Sequence, residues 1–230
     1  MCGRFALSIS PSVLAKLFGL DEIPDLPPRY NIAPGQSIAA VLSHPEGNIR
    51  VLKMLRWGLV PPWAKDPAIG NRMINARAET VMDKPAFRRA FQQRRCLIPA
   101  DGFFEWQKQK RQPYFIRMRD TRPFALAGLW EQWQAPGREL LQTCTIITTE
   151  GNELLRPIHP RMPVIVPPEH YNRWLDTTST PDQVVSRIFQ PYPPEHMEAL
   201  PVGTRVNSPK NDDPACLEPL TEPPEEKGLF

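Results

Sequence analysis

The sequence predicts an α+β fold: a single domain built on a twisted, mostly antiparallel β-sheet with short helices at its periphery. Three observations lead to this prediction. The 230 residues include 29 prolines and only 12 glycines, which excludes long uninterrupted helices over much of the chain. Short apolar and β-branched runs recur between turn signals, as is typical of hairpin-connected strands. There is neither an internal repeat nor a regular alternation of strand and helix, so a parallel sheet is not expected.

The helices are expected to be short and to begin at recognisable capping residues. Ser10 can cap a first helix with Pro11 in its first turn, and Gly19 ends it. Asp83 is expected to cap a firmer helix whose carboxyl-terminal end is basic. The predicted helices span residues 10–20, 76–82, 84–94, 168–175 and 181–189.

The strands are predicted from apolar runs bounded by proline, glycine and polar residues. Residues 102–107 and 113–118 are expected to pair as a hairpin across a polar tip that is rich in lysine and arginine. The predicted strands span residues 38–43, 49–57, 96–99, 102–107, 113–118, 123–130, 141–148, 162–166 and 201–206.

The composition is that of a soluble protein, with 41% hydrophobic and 23% charged residues. No apolar run approaches the length of a membrane span, and the start lacks the apolar segment of a signal peptide. We therefore expect a cytoplasmic protein with no membrane partner. The proline- and glutamate-rich residues 218–230 are predicted to be a disordered tail outside a domain of residues 1–217.

The cysteines and histidines predict neither a disulfide framework nor a metal site, since no CxxC, HExxH or mixed ligand spacing is present. We expect no metal and no other cofactor. The sequence also lacks a GxSxG elbow, a Walker loop and a GxGxxG motif, which removes the commonest hydrolase, nucleotide-binding and dehydrogenase classes. The scattered residues are Cys2, Cys96, Cys144, Cys216, His44, His159, His170 and His196.

The charge is unevenly distributed along the chain. Residues 1–120 carry 19 Lys and Arg against 10 Asp and Glu, a net of +9, whereas residues 121–230 carry 9 against 15, a net of −6. An arginine-rich basic half is typical of a protein that binds a polyanion. The alternative is that the two halves simply neutralise each other within one fold.

The first five residues, MCGRF, contain the most distinctive chemistry. Initiator methionine is normally removed before a small residue, and its removal would give Cys2 both a free α-amine and a thiol on adjacent carbons. Such an aminothiol condenses with an aldehyde to an imine, and the tethered thiol then closes a five-membered thiazolidine. The alternative is an ordinary residue near a frayed terminus.

Three polar clusters lie in the middle of the chain. In the first, Asn75 offers a donor and an acceptor and Arg77 offers a fork for phosphate, although both residues also fit a helix start with Asn75 as N-cap. In the second, Glu105 shares one strand face with Phe103. It is either an edge residue facing water or a desolvated acid with a raised pKa.

The third cluster surrounds His159, which prolines flank and arginines accompany. The prolines restrict the backbone, as positioning a site residue would require, although a single histidine is often structural. The aromatic residues leave a similar choice, because Trp57, Trp63 and Trp106 can each stack on a nucleobase or pack in the core.

Taken together, these segments resemble the SOS response-associated peptidase (SRAP) family, whose members are abasic-site processing proteins. Each motif is short, but seven of them match in order and run nearly from end to end, leaving only the acidic tail outside. The resemblance also implies the family's fold, with a barrel-like β core. The matching segments are residues 1–5, 29–36, 57–66, 75–80, 95–106, 158–166 and 204–209.

The resemblance implies a protein that binds single-stranded DNA and traps the ring-opened aldehyde of an abasic site as a thiazolidine crosslink. By the same resemblance, Cys2 is the nucleophile and Asn75 orients the crosslink. Glu105 is similar to the family's acid and base, and His159 to the residue that assists Schiff-base formation and strand cleavage by β-elimination. The residues that resemble the phosphate contacts are Arg4, Arg77 and Arg161.

We therefore expect a monomer that acts in the DNA damage response on single-stranded DNA containing abasic sites. The same resemblance suggests contact with the replication machinery and a place at the nucleoid when the protein is bound to DNA. Two alternatives stay open. One is a thiol peptidase that processes itself or other proteins through Cys2, and the other is a passive, non-covalent reader of modified DNA.

Overall fold

The fold is known from a computed structural model, which describes residues 2–221 apart from 23, 45–48, 138 and 179–186. Its α-helices are short, as the proline content predicts. They are α1 (Pro11–Phe18), α2 (Arg88–Gln93) and α3 (Tyr171–Leu175). The strands are β1 (Phe5–Leu7), β2 (Arg29–Ile32), β3 (Ser37–Ser43), β4 (Arg50–Trp57), β5 (Asn75–Arg77), β6 (Arg95–Ala100), β7 (Gly102–Trp106), β8 (Pro113–Met118), β9 (Phe124–Trp133), β10 (Leu141–Glu150), β11 (Arg161–Pro163), β12 (Ile165–Val166) and β13 (Met197–Pro201).

One of the two sheets closes into a five-stranded barrel. Its strands follow the order β10, β4, β3, β6 and β9, and β9 pairs again with β10. Among the described strands, only β4 and β5 pair with β10 in parallel, and the other strand pairs are antiparallel. Because closure leaves no free edge within the ring, the barrel encloses most of the apolar core. The α+β class and the mostly antiparallel sheet are confirmed.

The second sheet is antiparallel and open, with the strand order β13, β8, β7, β1 and β2. One of its faces covers the main core, where Phe5 and Phe103 are buried. Its other face carries Phe104 and Phe115, which pack with Val206 in a smaller apolar cluster beneath the carboxyl-terminal segment. Phe103 and Phe104 therefore point to opposite faces, as strand alternation predicts.

Local sequence signals were sufficient to predict the position of several helices and strands. The side chain of Ser10 accepts a hydrogen bond from the backbone N–H of Val13, and Gly19 ends α1 at a φ of 60°. Such a positive φ favours glycine over residues with a Cβ. Strand β8 has the predicted bounds, and the predicted helix at 168–175 is present as a 3₁₀ turn followed by α3.

The predicted helix at 76–82 is wrong. Asn75–Arg77 instead forms β5, whose partner β10 lies about seventy residues further along the chain. The alanines at 76 and 78 favour a helix locally, but pairing with β10 overrides that preference. The interpretation of Asn75 as a helix N-cap is wrong for the same reason.

Two further boundaries differ from the prediction. Helix α2 begins at Arg88, with Phe87 rather than Asp83 at its N-cap. Pro85 disfavours helical backbone at the residue before it, which delays the start of the predicted helix at 84–94. The strand predicted at 201–206 is displaced, because β13 ends at Pro201 and a 3₁₀ turn follows.

Some predictions fall on residues that the structure does not describe. Residues 181–186 of the predicted helix at 181–189 lie outside the described part of the chain, as do residues 222–230 of the predicted tail. Before that point, Pro219 forms a bridge with Val202, so the described chain follows the second sheet to residue 221. Across the described ranges, no helix combines the length and apolar character needed to cross a bilayer.

Candidate active site

Cys2 lies just before β1 and is fully buried in the main core. Burial raises the pKa of the Cys2 thiol well above its usual range, and the negative charge of Glu105 raises it further. The sulfur is therefore held as a neutral S–H group. A reaction at this sulfur requires a base that can take its proton.

Asn75 is brought to Cys2 by the pairing of β5 with β10. Its Nδ2 donates a hydrogen bond of 2.9 Å to the backbone carbonyl of Cys2. Its Oδ1 is buried and has no hydrogen-bond partner among the described residues. A buried acceptor without a donor costs about 1–3 kcal/mol. The position is therefore suited to a ligand that brings an N–H or O–H group.

Glu105 lies on β7, beside β1, and is 3% exposed. Burial raises the pKa of its carboxyl to about 7. The structure thus bears out a desolvated acid rather than an edge residue facing water. A carboxyl that titrates near neutral pH can both donate and accept a proton during one reaction cycle.

His159 faces Glu105, with 4.0 Å between its Nδ1 and Oε1 of the carboxyl. The same Nδ1 lies 3.0 Å from the backbone N–H of Arg161 and 3.1 Å from the Arg161 carbonyl oxygen, so it accepts from the first in one neutral tautomer and donates to the second in the other. Burial lowers the pKa of His159, and nearby positive charges act in the same direction. Glu105 and His159 are therefore both shifted toward their uncharged forms.

A compact turn between β10 and β11 holds His159 in place. The backbone N–H of His159 donates to the Leu155 carbonyl at 2.7 Å, and Gly151 donates to Pro160 at 2.8 Å. A Cβ on Gly151 would lie 2.9 Å from the His159 carbonyl oxygen, closer than real Cβ contacts come. Glycine is therefore required for this close approach.

Arg4 and Trp106 form a second part of the site. Nη1 of Arg4 donates to Asn31 Oδ1 at 2.8 Å and to the Val206 carbonyl at 2.7 Å, and its guanidinium lies 5.8 Å from the centre of the Trp106 ring. The Trp106 Nε1 donates to Asn207 Oδ1 at 2.7 Å. Arg4 is thus fixed in the structure and keeps only part of its donor set for a phosphate.

Arg161 follows His159 closely and forms a forked ion pair with Glu79. Nη1 donates to Oε1 at 2.5 Å and Nη2 donates to Oε2 at 3.0 Å. Nη2 also donates to the Thr148 carbonyl at 2.7 Å. Glu79 therefore faces the guanidinium for which the family resemblance implies a phosphate contact.

The remaining predicted contacts differ in exposure. Arg77 is exposed two residues beyond Asn75 on β5, so both side chains lie on the same side of that strand. Trp63 is 58% exposed on the loop after β4. Trp57 is a core residue, buried at 1% exposure, and its Nε1 donates to the Ile74 carbonyl. Stacking on a base is therefore excluded for Trp57 in this fold.

Sequence reasoning missed the residue that holds the carboxyl-terminal segment in place. Asn31 is fully buried, and its Nδ2 lies within hydrogen-bond distance of the carbonyls of Val206, Ser208 and Asn211. Its Oδ1 accepts from Arg4. Asn31 falls within a matching motif, but its role depends on partners about 175 residues away and has no local signal.

The structure thus brings the buried residues Cys2 and Glu105 together with the partly buried Asn75 and His159 in one cluster, with Arg4 just before β1 and Trp106 on β7, the strand that carries Glu105. The cluster has the groups needed for nucleophilic attack and proton transfer. Over the described ranges, no group of three or more His, Cys, Asp or Glu side chains is placed to hold a metal ion.

Comparison with known proteins agrees with the motif pattern. Residues 1–209 match the family described as SOS response associated peptidase (SRAP). The abasic site processing protein YoqW of Bacillus subtilis (strain 168) is 44% identical over 226 residues, which cover 95% of this chain and 99% of YoqW. The abasic site processing protein HMCES of Gallus gallus is 33% identical over 264 residues, which cover 96% of this chain and 78% of HMCES.

Solved structures share the fold. A crystal structure of a protein from Bacteroides thetaiotaomicron superimposes with a TM-score of 0.84 at 26% identity, covering 95% of this chain and 100% of that one. A phage-related protein from Bordetella bronchiseptica gives a TM-score of 0.69 at 28% identity, covering 87% of this chain and 94% of that one. With the match over residues 1–209, the chain belongs to the SOS response associated peptidase (SRAP) family.

Proposed function

We propose that this protein processes abasic sites by forming a covalent thiazolidine crosslink between Cys2 and the ring-opened sugar in single-stranded DNA. The observation that carries the proposal is the meeting of Cys2 with the desolvated carboxyl of Glu105 and with the amide oxygen of Asn75, which has no partner among the residues the structure describes. Relatives that align over nearly the whole chain are named abasic site processing proteins. The proposal requires removal of Met1, because only then does Cys2 carry a free amine.

The first step joins the amine to the aldehyde. The nitrogen of Cys2 attacks C1′ and gives a carbinolamine. Glu105, whose pKa of about 7 keeps a protonated fraction at neutral pH, then protonates the hydroxyl so that it leaves as water. The products are an iminium ion and the Glu105 carboxylate. The proposed role of Asn75 Oδ1 is to accept a hydrogen bond from the reacting nitrogen or hydroxyl, which is supported by its burial without a partner among the described residues.

The second step closes the ring. The Glu105 carboxylate takes the proton of the Cys2 thiol, and the resulting thiolate adds to the iminium carbon. The new C–S bond completes the thiazolidine, and Glu105 is protonated again, so atoms and charge balance over the two steps. Because the raised pKa of the thiol makes it a poor nucleophile by itself, the proton transfer to Glu105 is essential.

His159 provides a route to the lyase outcome. If the iminium forms but the thiol does not add, removal of a proton from C2′ allows β-elimination of the 3′ phosphate and cleaves the strand. His159 Nδ1 lies 4.0 Å from Glu105, and burial keeps the imidazole in its neutral, basic form. It is therefore the proposed base or proton relay for this step.

Affinity for DNA would come from the arginines and the exposed aromatic rings. Arg4, Arg77 and Arg161 are the proposed phosphate contacts, which give sequence-independent and salt-sensitive binding. Stacking on Trp63 and Trp106 would favour splayed single-stranded bases over duplex DNA. Trp63 is largely exposed and Trp106 is partly exposed, so both rings present surface to a base.

The family description favours one second candidate, a thiol peptidase with Cys2 as nucleophile. The raised pKa of the Cys2 thiol argues against it, since a cysteine peptidase needs a ready thiolate. Retention of Met1 by a Glu105→Gln protein would support self-processing, whereas removal of Met1 from that variant would exclude a role for Glu105 in it.

Intact mass spectrometry tests the proposal directly. Purified protein is mixed with a single-stranded oligonucleotide containing one abasic site, without any reductant. The expected product is a heat-stable adduct whose mass is that of protein without Met1 plus oligonucleotide, less one water. Cys2→Ala should give no such adduct while still binding the oligonucleotide. The mechanism is wrong if Cys2→Ala forms the same heat-stable adduct.

A further inference from the structure

The ion pair between Arg161 and Glu79 uses the end of the guanidinium that is best suited to a phosphate. Both Nη atoms face the carboxylate, at 2.5 and 3.0 Å. This fork-to-fork geometry is also the arrangement by which arginine binds a phosphate through two parallel hydrogen bonds. A carboxylate and a phosphate therefore compete for the same two donors.

The other donors of Arg161 do not provide a second fork. Nη2 is also bonded to the Thr148 carbonyl at 2.7 Å, and Nε is buried without a hydrogen-bond partner among the described residues. The Arg161 side chain is 17% exposed, whereas Glu79 is 46% exposed. Glu79 therefore stands on the solvent side of the guanidinium, in the direction from which DNA would arrive.

Glu79 also lies in the field of a second arginine. Hydrogen bonding to Arg161 lowers the pKa of Glu79, and the positive charge of Arg77 lowers it further. Glu79 is thus ionised at neutral pH and offsets part of the positive potential of two proposed phosphate contacts. Because the Glu79 side chain is 46% exposed, water screens this ion pair, so an incoming phosphate can displace the carboxylate.

We propose that Glu79 is an affinity-limiting residue that occupies the phosphate position on Arg161 and must be exchanged for a DNA phosphate when the strand binds. This inference rests on the proposed function, since it assumes that Arg161 contacts the DNA backbone. The exchange weakens binding to any single strand and lets the covalent step, rather than backbone affinity, decide which complexes persist.

The test compares Glu79→Gln with Glu150→Gln. Both variants remove one negative charge near Arg161, because Glu150 is exposed at the end of β10 and its backbone pairs with that of Arg161. Only Glu79 forms the ion pair, however. The probe is a single-stranded oligonucleotide with a tetrahydrofuran abasic analogue, which binds without covalent chemistry, and the dissociation constant is measured by fluorescence anisotropy.

Glu79→Gln should bind this probe about three- to tenfold more tightly than Glu150→Gln. Its affinity should also fall more steeply with salt concentration. Without the Glu79 carboxylate, Arg161 is neutralised by solution ions, and the DNA phosphate must displace those ions on binding. In an Arg161→Gln background, Glu79→Gln should bind no more tightly than Glu150→Gln does in the same background, because only the loss of one nearby negative charge remains. Binding by Glu79→Gln that is equal to or weaker than that of Glu150→Gln would overturn the inference, since Glu79 would then orient Arg161 rather than compete for it.

Crosslinking of a true abasic oligonucleotide by the wild-type protein separates the two proposals. If the wild type crosslinks and the two glutamine variants bind equally, only the competition by Glu79 is wrong. If the wild type neither binds nor crosslinks, the proposed function fails and this inference fails with it. Thermal unfolding of each variant establishes that the folded proteins are being compared.

Discussion

The buried cluster around Cys2 and the charged surface around Arg161 are joined by β5, yet they differ sharply in access to water. Asn75 begins this strand at Cys2, and Arg77 ends it in solvent near Glu79. In the cluster, burial shifts the pKa of Glu105 to about 7. At the surface, the Glu79 side chain of the ion pair with Arg161 is 46% exposed, and solvent screens the pair. The comparison indicates that the crosslinking reaction and DNA affinity depend on different residues. We expect substitutions in the buried cluster to change the reaction rate strongly, and substitutions at the surface to change affinity only modestly.

The sharpest way to break this comparison is Glu105→Gln. The change keeps the size of the side chain but removes the group that donates and accepts protons. We expect the rate of crosslink formation at saturating oligonucleotide to fall about 10²- to 10⁴-fold, the usual range for loss of a general acid and base. Quenched time courses resolved on denaturing gels provide the rate.

The same variant should leave affinity almost unchanged. Its dissociation constant for the tetrahydrofuran oligonucleotide should stay within about twofold of wild type, because Glu105 is buried and is not a proposed phosphate contact. A rate near that of wild type would remove Glu105 from the mechanism. A large change in affinity would show that the cluster and the surface are not separable.

A second prediction concerns stability and pH. The pKa of Glu105 rises from 4.5 to about 7 on folding, so the folded state binds the proton more tightly. This carboxyl therefore favours the folded state below about pH 4.5, and its contribution is lost as pH rises to about 7. The shift corresponds to about 3 kcal/mol.

The Glu105→Gln variant should not lose this contribution to the free energy of unfolding as pH rises, because glutamine carries no titratable proton. Urea unfolding at several pH values should show the free energy of unfolding of the variant gaining on that of wild type by about 1–3 kcal/mol between pH 5 and 8. Parallel curves for the two proteins over this range would mean that Glu105 is not desolvated in solution.

The smallest effect is expected at the surface. Arg77→Gln should weaken binding of the tetrahydrofuran oligonucleotide about three- to tenfold and lower the salt slope by about 0.7, as expected for one lost phosphate contact on a single strand. The crosslinking rate at saturation should not change. Lys16→Gln, which removes a charge from the exposed side of α1, is the matched control. Equal binding by both variants would remove Arg77 from the interface.

The sequence was most informative where a local signal is strong. The Ser10 cap, the Gly19 stop and the bounds of β8 follow from residues within a few positions. The opposite orientation of Phe103 and Phe104 follows from strand alternation alone.

The sequence was least informative where pairing with a distant segment decides the local structure. Local propensity at 76–82 predicts a helix, but β10 recruits Asn75–Arg77 as a strand. The segment after Pro201 has strand-like residues, but Asn31 holds its carbonyls in a tight turn. Neither partner is close in sequence, so no local pattern could indicate it.

By itself, the sequence determined the fold class, the family and the residue types available for chemistry, because motifs and periodicity are local properties of the chain. The tertiary structure decided which environment each group has. It desolvates Glu105, leaves Asn75 Oδ1 without a donor within the described part of the chain, and sets Glu79 against Arg161. These environments set the pKa of Glu105 and the competition between Glu79 and a phosphate for Arg161. They arise only in the folded protein, where segments far apart in the chain together exclude water.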